Sequence, residues 1–184
     1  MNLREGICMS VREVPFKEAS DELSSTIRYQ VASGKLGKVI IGRLLPGTDV
    51  IEGIEKICKD YSIKSAFVSL SIGSLQKATF VLAMAKEGTK LGIVYTEPIE
   101  VPGPIEFLSG LGVVCEGGTE GELETHFHAT FSNEKKEVYG GHLVKGKNPT
   151  LATIDLSIIE VKGVKLGRKF DEETGFVLIS PESI

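Results

Sequence analysis

Cysteine is scarce in this sequence: Cys8, Cys58 and Cys115 are odd in number, widely spaced and without a Cys-x-x-Cys pair. That pattern argues against a disulfide framework and against a thiolate metal knot, and leaves reduced, buried thiols as the expectation. Basic charge is scarce too. Lys and Arg number 21 against 25 Asp and Glu, a formal net charge of -4, so the chain lacks the cationic footprint that holds a phosphate backbone. No apolar run is long enough to cross a bilayer, and Met1-Asn2-Leu3-Arg4-Glu5-Gly6 reaches charged residues before a hydrophobic signal core forms. The expectation is a cytoplasmic protein without a membrane partner. Low-complexity linkers, a repeat period and any Ser-His-Asp or Cys-His signature in recognisable local context are missing as well. What remains is 184 residues, 41% of them hydrophobic, enough for one core. Residues 1–26 read as an N-terminal extension packed on a single domain, 27–184.

Within that domain β signals dominate. Ile27-Arg28-Tyr29-Gln30-Val31 alternates and Lys38 to Leu45 follows after a Gly34-Lys35-Leu36-Gly37 turn, which predicts a hairpin. Pro46-Gly47-Thr48-Asp49 punctuates the chain, with Thr48 or Asp49 as N-cap. Val50, Ile51, Ile54, Ile57 and Cys58 then repeat at helical spacing, predicting one amphipathic helix over about 49–61. Further strands are expected at Ser65–Ile72, at Ala78–Met84 after a tight Gly73-Ser74 turn, and at Gly92–Thr96, Ile99–Val101, Ile105–Cys115, Leu123–Ser132, Glu137–Val144 and Thr150–Val161. A last hairpin is expected around Thr174-Gly175. The fold class is α+β, a mostly antiparallel sheet curled around or covered by one or two helices.

Histidine is as scarce as cysteine and more informative. There are three, and all fall in one window of seventeen residues, as His126-Phe127-His128 and Gly140-Gly141-His142. The segment Thr125–Ser132 alternates strictly, which puts Phe127, Ala129 and Phe131 on a core face and His126, His128, Thr130 and Ser132 on the other. Residues i and i+2 of a strand stand roughly 6.5–7 Å apart, close enough for both imidazoles to lean onto one ion. If Tyr139 and Leu143 pack with the phenylalanines, His142 shares the histidine face. Three imidazoles with one open position form the donor set of catalytic zinc, although nickel, iron and copper also accept it. The alternative is three polar residues on a solvated sheet face.

Register decides between these readings. A three-residue loop Asn133-Glu134-Lys135 sets His126 opposite His142 and His128 opposite Gly140. A four-residue loop through Lys136 sets His142 opposite Phe127 and breaks the site unless a bulge at Gly140-Gly141 restores the parity. Glu106, Glu124 and Cys115 are possible fourth ligands by type, with water the simplest occupant. Glu106 is also a candidate for orienting an imidazole or acting as general base. Arg28 and Arg43, on alternating segments, read as solvated edge charge or as contacts to an acidic ligand.

Several segments together resemble the plants-and-prokaryotes-conserved (PPC or PCC) domain family. They are Ile41-Gly42-Arg43-Leu44-Leu45-Pro46-Gly47-Thr48-Asp49, Val68 to Leu75, Ile105-Glu106-Phe107-Leu108-Ser109-Gly110-Leu111-Gly112, His126-Phe127-His128, Gly140-Gly141-His142-Leu143 and Arg168 to Gly175. The likeness spans about residues 27–179. It implies a compact antiparallel sheet flanked by helices, assembly as a homotrimer, and a metal site at His126, His128 and His142. Plant members carry AT-hooks and bind DNA; this sequence has no Arg-Gly-Arg-Pro core. Two functions follow as expectations. One is a metal-dependent binder of, or enzyme for, an unnamed small molecule; the other is a DNA-binding or regulatory protein whose metal is structural.

Overall fold

The protein is described by a computed structural model over residues 27–119 and 121–184; the expected extension 1–26, with Cys8, lies outside the described residues. Its centre is one long strand. β2 (Ala66–Val81) runs without the turn expected at Gly73-Ser74. Gly73 instead passes so close to β8 (Thr150–Lys162) that a Cβ would overlap the Thr153 carbonyl oxygen and Ile154. The glycine is there for close strand approach, which a Gly-Ser pair read in isolation does not distinguish from a turn.

Along one side β2 pairs with β5 (Ile99–Glu116), which joins the two short strands expected at 99–101 and 105–115. Along its other side β2 meets β8 first and β7 (Val138–Leu143) at its end, through Phe80–Leu143 and Val81–His142. β6 (Leu123–Asn133) lies between β5 and β7. The pairings β2–β5–β6–β7–β2 therefore close a ring. β1 (Lys35–Leu44) adds to β8 on the outside, and the hairpin of β9 (Val164–Asp171) and β10 (Phe176–Ser183) continues beyond β5. A small ribbon, β3 (Ala83–Ala85) with β4 (Ile93–Tyr95), completes the strands.

The sheet is mixed rather than purely antiparallel, because β5 meets β9 in parallel at Glu116–Gly167. The hairpin expected from Ile27–Val31 does not form. Residues 27–34 carry no strand, and β1 pairs with the distant β8. Ile27, Tyr29 and Val31 are exposed, so alternation there had no buried face to serve. The segment is held by side chains, with Arg28 bonded to Glu173 and Gln30 Nε2 donating to Ser180 Oγ.

One helix, α1 (Val50–Asp60), lies among the described residues. Asp49 caps it by accepting from the N–H groups of Ile51 and Glu52, and its other oxygen accepts from the Asn148 N–H, tying the cap to the start of β8. Val50, Ile51, Ile54 and Cys58 are buried, as the spacing predicts, against a core that includes Phe80, Phe107, Phe127 and Phe131. A second, smaller core of Cys115, Val164 and Leu166 forms where β9 covers part of the outer face. No helix among the described residues is long and apolar enough to cross a membrane.

Candidate metal centre

The histidine strand keeps the alternation of its sequence. Phe127, Ala129 and Phe131 are buried, while His126 is half-buried and His128 exposed on the opposite face. Phe127 fixes that orientation. Its ring lies over Gly110 and Gly112 of β5, where added Cβ atoms would overlap it, so the two glycines make the room that seats Phe127 inward. Tyr139 on β7 sits opposite Phe131 and stacks on it at 6.3 Å between centroids, and Leu143 is buried, so His142 turns to the histidine face.

The parity is the one the site needs, but the register is shifted by two residues from the expectation. The loop is Glu134-Lys135-Lys136, flanked by Asn133 and Glu137, with Lys136 N–H donating to the Asn133 carbonyl and Asn133 N–H to the Glu137 carbonyl. Lys136 adopts a φ of 67° at the position where such three-residue hairpins need a left-handed residue. Asn133 Oδ1 accepts from the N–H groups of Lys135 and Glu137 and locks the turn. His142 consequently stands opposite His128, not His126, and the pairing runs from Ser132–Val138 to His128–His142 with no bulge at Gly140-Gly141.

The three side chains converge. Their ligand-capable atoms lie within 4.8 Å of one another, the Nε2 atoms of His126 and His128 are 3.0 Å apart, and the ring centroids of His126 and His142 are 4.4 Å apart. Two nitrogens on one tetrahedral zinc are separated by about 3.4 Å, which follows from Zn–N bonds of about 2.0–2.1 Å. Burial, then the neighbouring His142 and His128, then Arg168, pushes His126 down to about 4. Burial, with His128 and Arg168, also lowers His142. Neutral imidazoles keep the lone pairs a metal needs. His142 Nδ1 is buried and has no hydrogen-bond partner among the described residues, a deficit that an ion on that nitrogen would remove. The donor set therefore fits a borderline divalent ion.

The other sequence candidates lie elsewhere. Glu106 is exposed on β5 opposite Ser132, four residues along β6 from His128, which is roughly 13 Å. Glu124 shares the face of His126 but is engaged by Arg168, with Nε 3.3 Å from the carboxylate. Cys115 is buried, its thiol pushed up to about 11 mainly by that burial, and it lies 3.4 Å from the Glu124 carbonyl oxygen. Arg43 is exposed at the Asp155 pairing on β1, and Arg28 is bonded to Glu173.

Three residues beside the histidines escaped the sequence reading. Tyr95 of β4 packs edge-on to His142 at 6.2 Å and to Phe176 of β10 at 6.0 Å. With Arg168 of β9 and residues 177–179 they line a cleft of about 440 Å³ that opens onto His126 and His142. Tyr95 and Phe176 look like ordinary strand aromatics in sequence. Arg168 falls in a segment that carried the family resemblance, and that was its signal.

The sequence matches the Plants and Prokaryotes Conserved (PCC) domain over residues 31–162. The chain belongs to the PCC domain family. Among solved structures, this PCC protein is similar to a metal-containing protein from Archaeoglobus fulgidus, at 27% identity and a TM-score of 0.68, with 82% of this chain and 99% of that one covered. It is equally similar to a PPC protein from Pyrococcus horikoshii, at 26% identity and a TM-score of 0.68, covering 85% and 100%. A proposed DNA-binding protein from Bacteroides thetaiotaomicron shares the fold at 15% identity and a TM-score of 0.63, covering 80% and 96%. A curated relative is the bifunctional protein GlmU of Synechococcus sp. (strain JA-3-3Ab), 25% identical over 142 residues. That match takes in 77% of this chain but spans only 20% of the relative's length.

Proposed function

We propose that this PCC protein holds a divalent metal ion, zinc by preference, on His126, His128 and His142, and uses it to bind or transform a small molecule. The observation that carries the reading is the convergence of three imidazoles, their ligand atoms within 4.8 Å of one another, with one buried ring nitrogen left without a partner among the described residues. The metal-containing relative from Archaeoglobus adds support. Three protein ligands leave a position open, and a bound ion there would polarise a carbonyl or acidify a water.

Elemental analysis of purified protein tests the proposal. One equivalent of metal is expected in the native chain and a loss of most of it in His128→Ala and His142→Ala; native protein without stoichiometric metal overturns it. Zinc is favoured by ligand type, and the same analysis identifies the metal.

The reading includes a homotrimer. Its support is an unusually apolar outer face, where Ile41, Phe67, Ile72 and Leu111 are all more than half exposed. Light scattering should give three times the mass of the chain. If chelation dissociates that assembly, the metal is structural. The alternative of a DNA-binding protein draws on the Bacteroides relative, which shares the fold alone. It requires duplex binding with a steep salt dependence, against a net charge of -4.

A further inference from the structure

The cleft over the histidines has walls of unlike character. Tyr95 and Phe176 meet edge to face and make one part apolar. Arg168 makes the other. Its side chain is half-buried, and the guanidinium is oriented by Glu124 and by the Val177 carbonyl, to which Nη2 donates at 3.0 Å. A guanidinium has five N–H donors in a fixed fork, and this anchoring engages two of its three nitrogens. No carboxylate is among the described residues that line the cleft. Glu124 balances Arg168, and the charge of a bound ion is left without a carboxylate partner in the cleft. A chamber of about 440 Å³ with one cationic corner and aromatic walls is built for a small anion with a flat apolar body.

We propose that the Tyr95–Phe176–Arg168 cleft binds small organic monocarboxylates, the carboxylate lying between Arg168 and the ion on the histidines, and the apolar body against Tyr95 and Phe176. The inference rests on the metal reading and deepens it by naming the ligand class. A planar carboxylate suits both partners: it accepts two parallel bonds from the guanidinium fork and offers an oxygen to the open metal position.

The test uses the full chain loaded with cobalt, whose visible absorption reports changes at the open position. Cobalt stoichiometry is measured first. Without it the metal reading fails and this inference falls with it; with it, the ligand titrations judge the inference alone. Benzoate is expected to perturb the spectrum saturably, with benzamide and inorganic phosphate much weaker. Arg168→Gln should weaken benzoate by about tenfold or more, the worth of one charge-assisted contact, with cobalt stoichiometry unchanged. Because that change unpairs Glu124, the double variant Arg168→Gln/Glu124→Gln is titrated alongside. The weakening should persist there, and recovery would mean that Glu124 repels the anion while Arg168 does not bind it, which overturns the proposal. Phe176→Ala should weaken benzoate several-fold and leave acetate unchanged. Phosphate binding tighter than benzoate, or equal benzoate affinity in Arg168→Gln, also overturns it.

Discussion

His126 shows how a residue's surroundings prepare it for its part. A half-buried imidazole beside two others and an arginine resists protonation, and its pKa falls to about 4. Its ordinary value is 6.5, so the unfolded chain takes up the proton first as pH falls. The stability this group contributes is complete above about pH 6.5 and is lost as pH falls through 4. In metal-free protein the His126 ring protons should show no NMR titration midpoint above pH 5; a midpoint near 6.5 would show that the ring is not held as described. Residue chemistry of this kind was only half readable from sequence. The spacing of His126 and His128 announced a shared face, but Tyr95, which packs on His142, is distant in the chain and carries no local mark of its role, and Arg168 was marked only by lying in a segment that carried the family resemblance.

The elements explain which expectations succeeded. Alternation in β6 was readable because one face meets a packed core, where a slip of one residue would bury histidines and expose phenylalanines. The register was not, because it depends on whether the turn starts at Asn133 or one residue later. Side-chain bonds from Asn133 and the left-handed Lys136 decide that, and neither follows from hydrophobic pattern. β2 was misread for a related reason: Gly73 satisfies a neighbouring strand rather than a turn. The paired glycines of β5 lead to a prediction at this scale. Gly112→Ala places a methyl group against the Phe127 ring and should cost about 1–3 kcal/mol in urea unfolding. It should also weaken metal binding, since Phe127 is the inward anchor between the two histidines. Unchanged stability would show that the ring has room to move.

At the scale of the molecule, rows of paired residues cross the sheet from edge to site. Ile41, Ser157, Ser69, Leu111, His128 and His142 form one such row, and Val39, Ile159, Phe67, Val113 and His126 another. The exposed apolar surface and the histidines thus occupy one face. Its large side chains are separated in the first row only by serines, so a single charge should disrupt association across it. If the proposed trimer forms through this face, Leu111→Lys is predicted to shift the light-scattering mass from trimer to monomer while leaving the far-ultraviolet circular dichroism unchanged. An unaltered mass would move the interface elsewhere. None of this was accessible from local sequence, because the rows join strands separated by tens of residues.

The closed ring of strands bears on how the centre behaves before any ion arrives. β6 is paired with β5 along its length and with β7 from His128 to Ser132, and β7 is tied back to β2 at His142 and Leu143, so the histidine hairpin is held in the sheet from more than one side. In hydrogen-exchange measurements the amides of Phe127 and Ala129 should be among the slowest in metal-free protein and gain little further protection on loading. A centre of that kind is preorganised: its backbone is already ordered, and ion capture would draw on side-chain rotation alone.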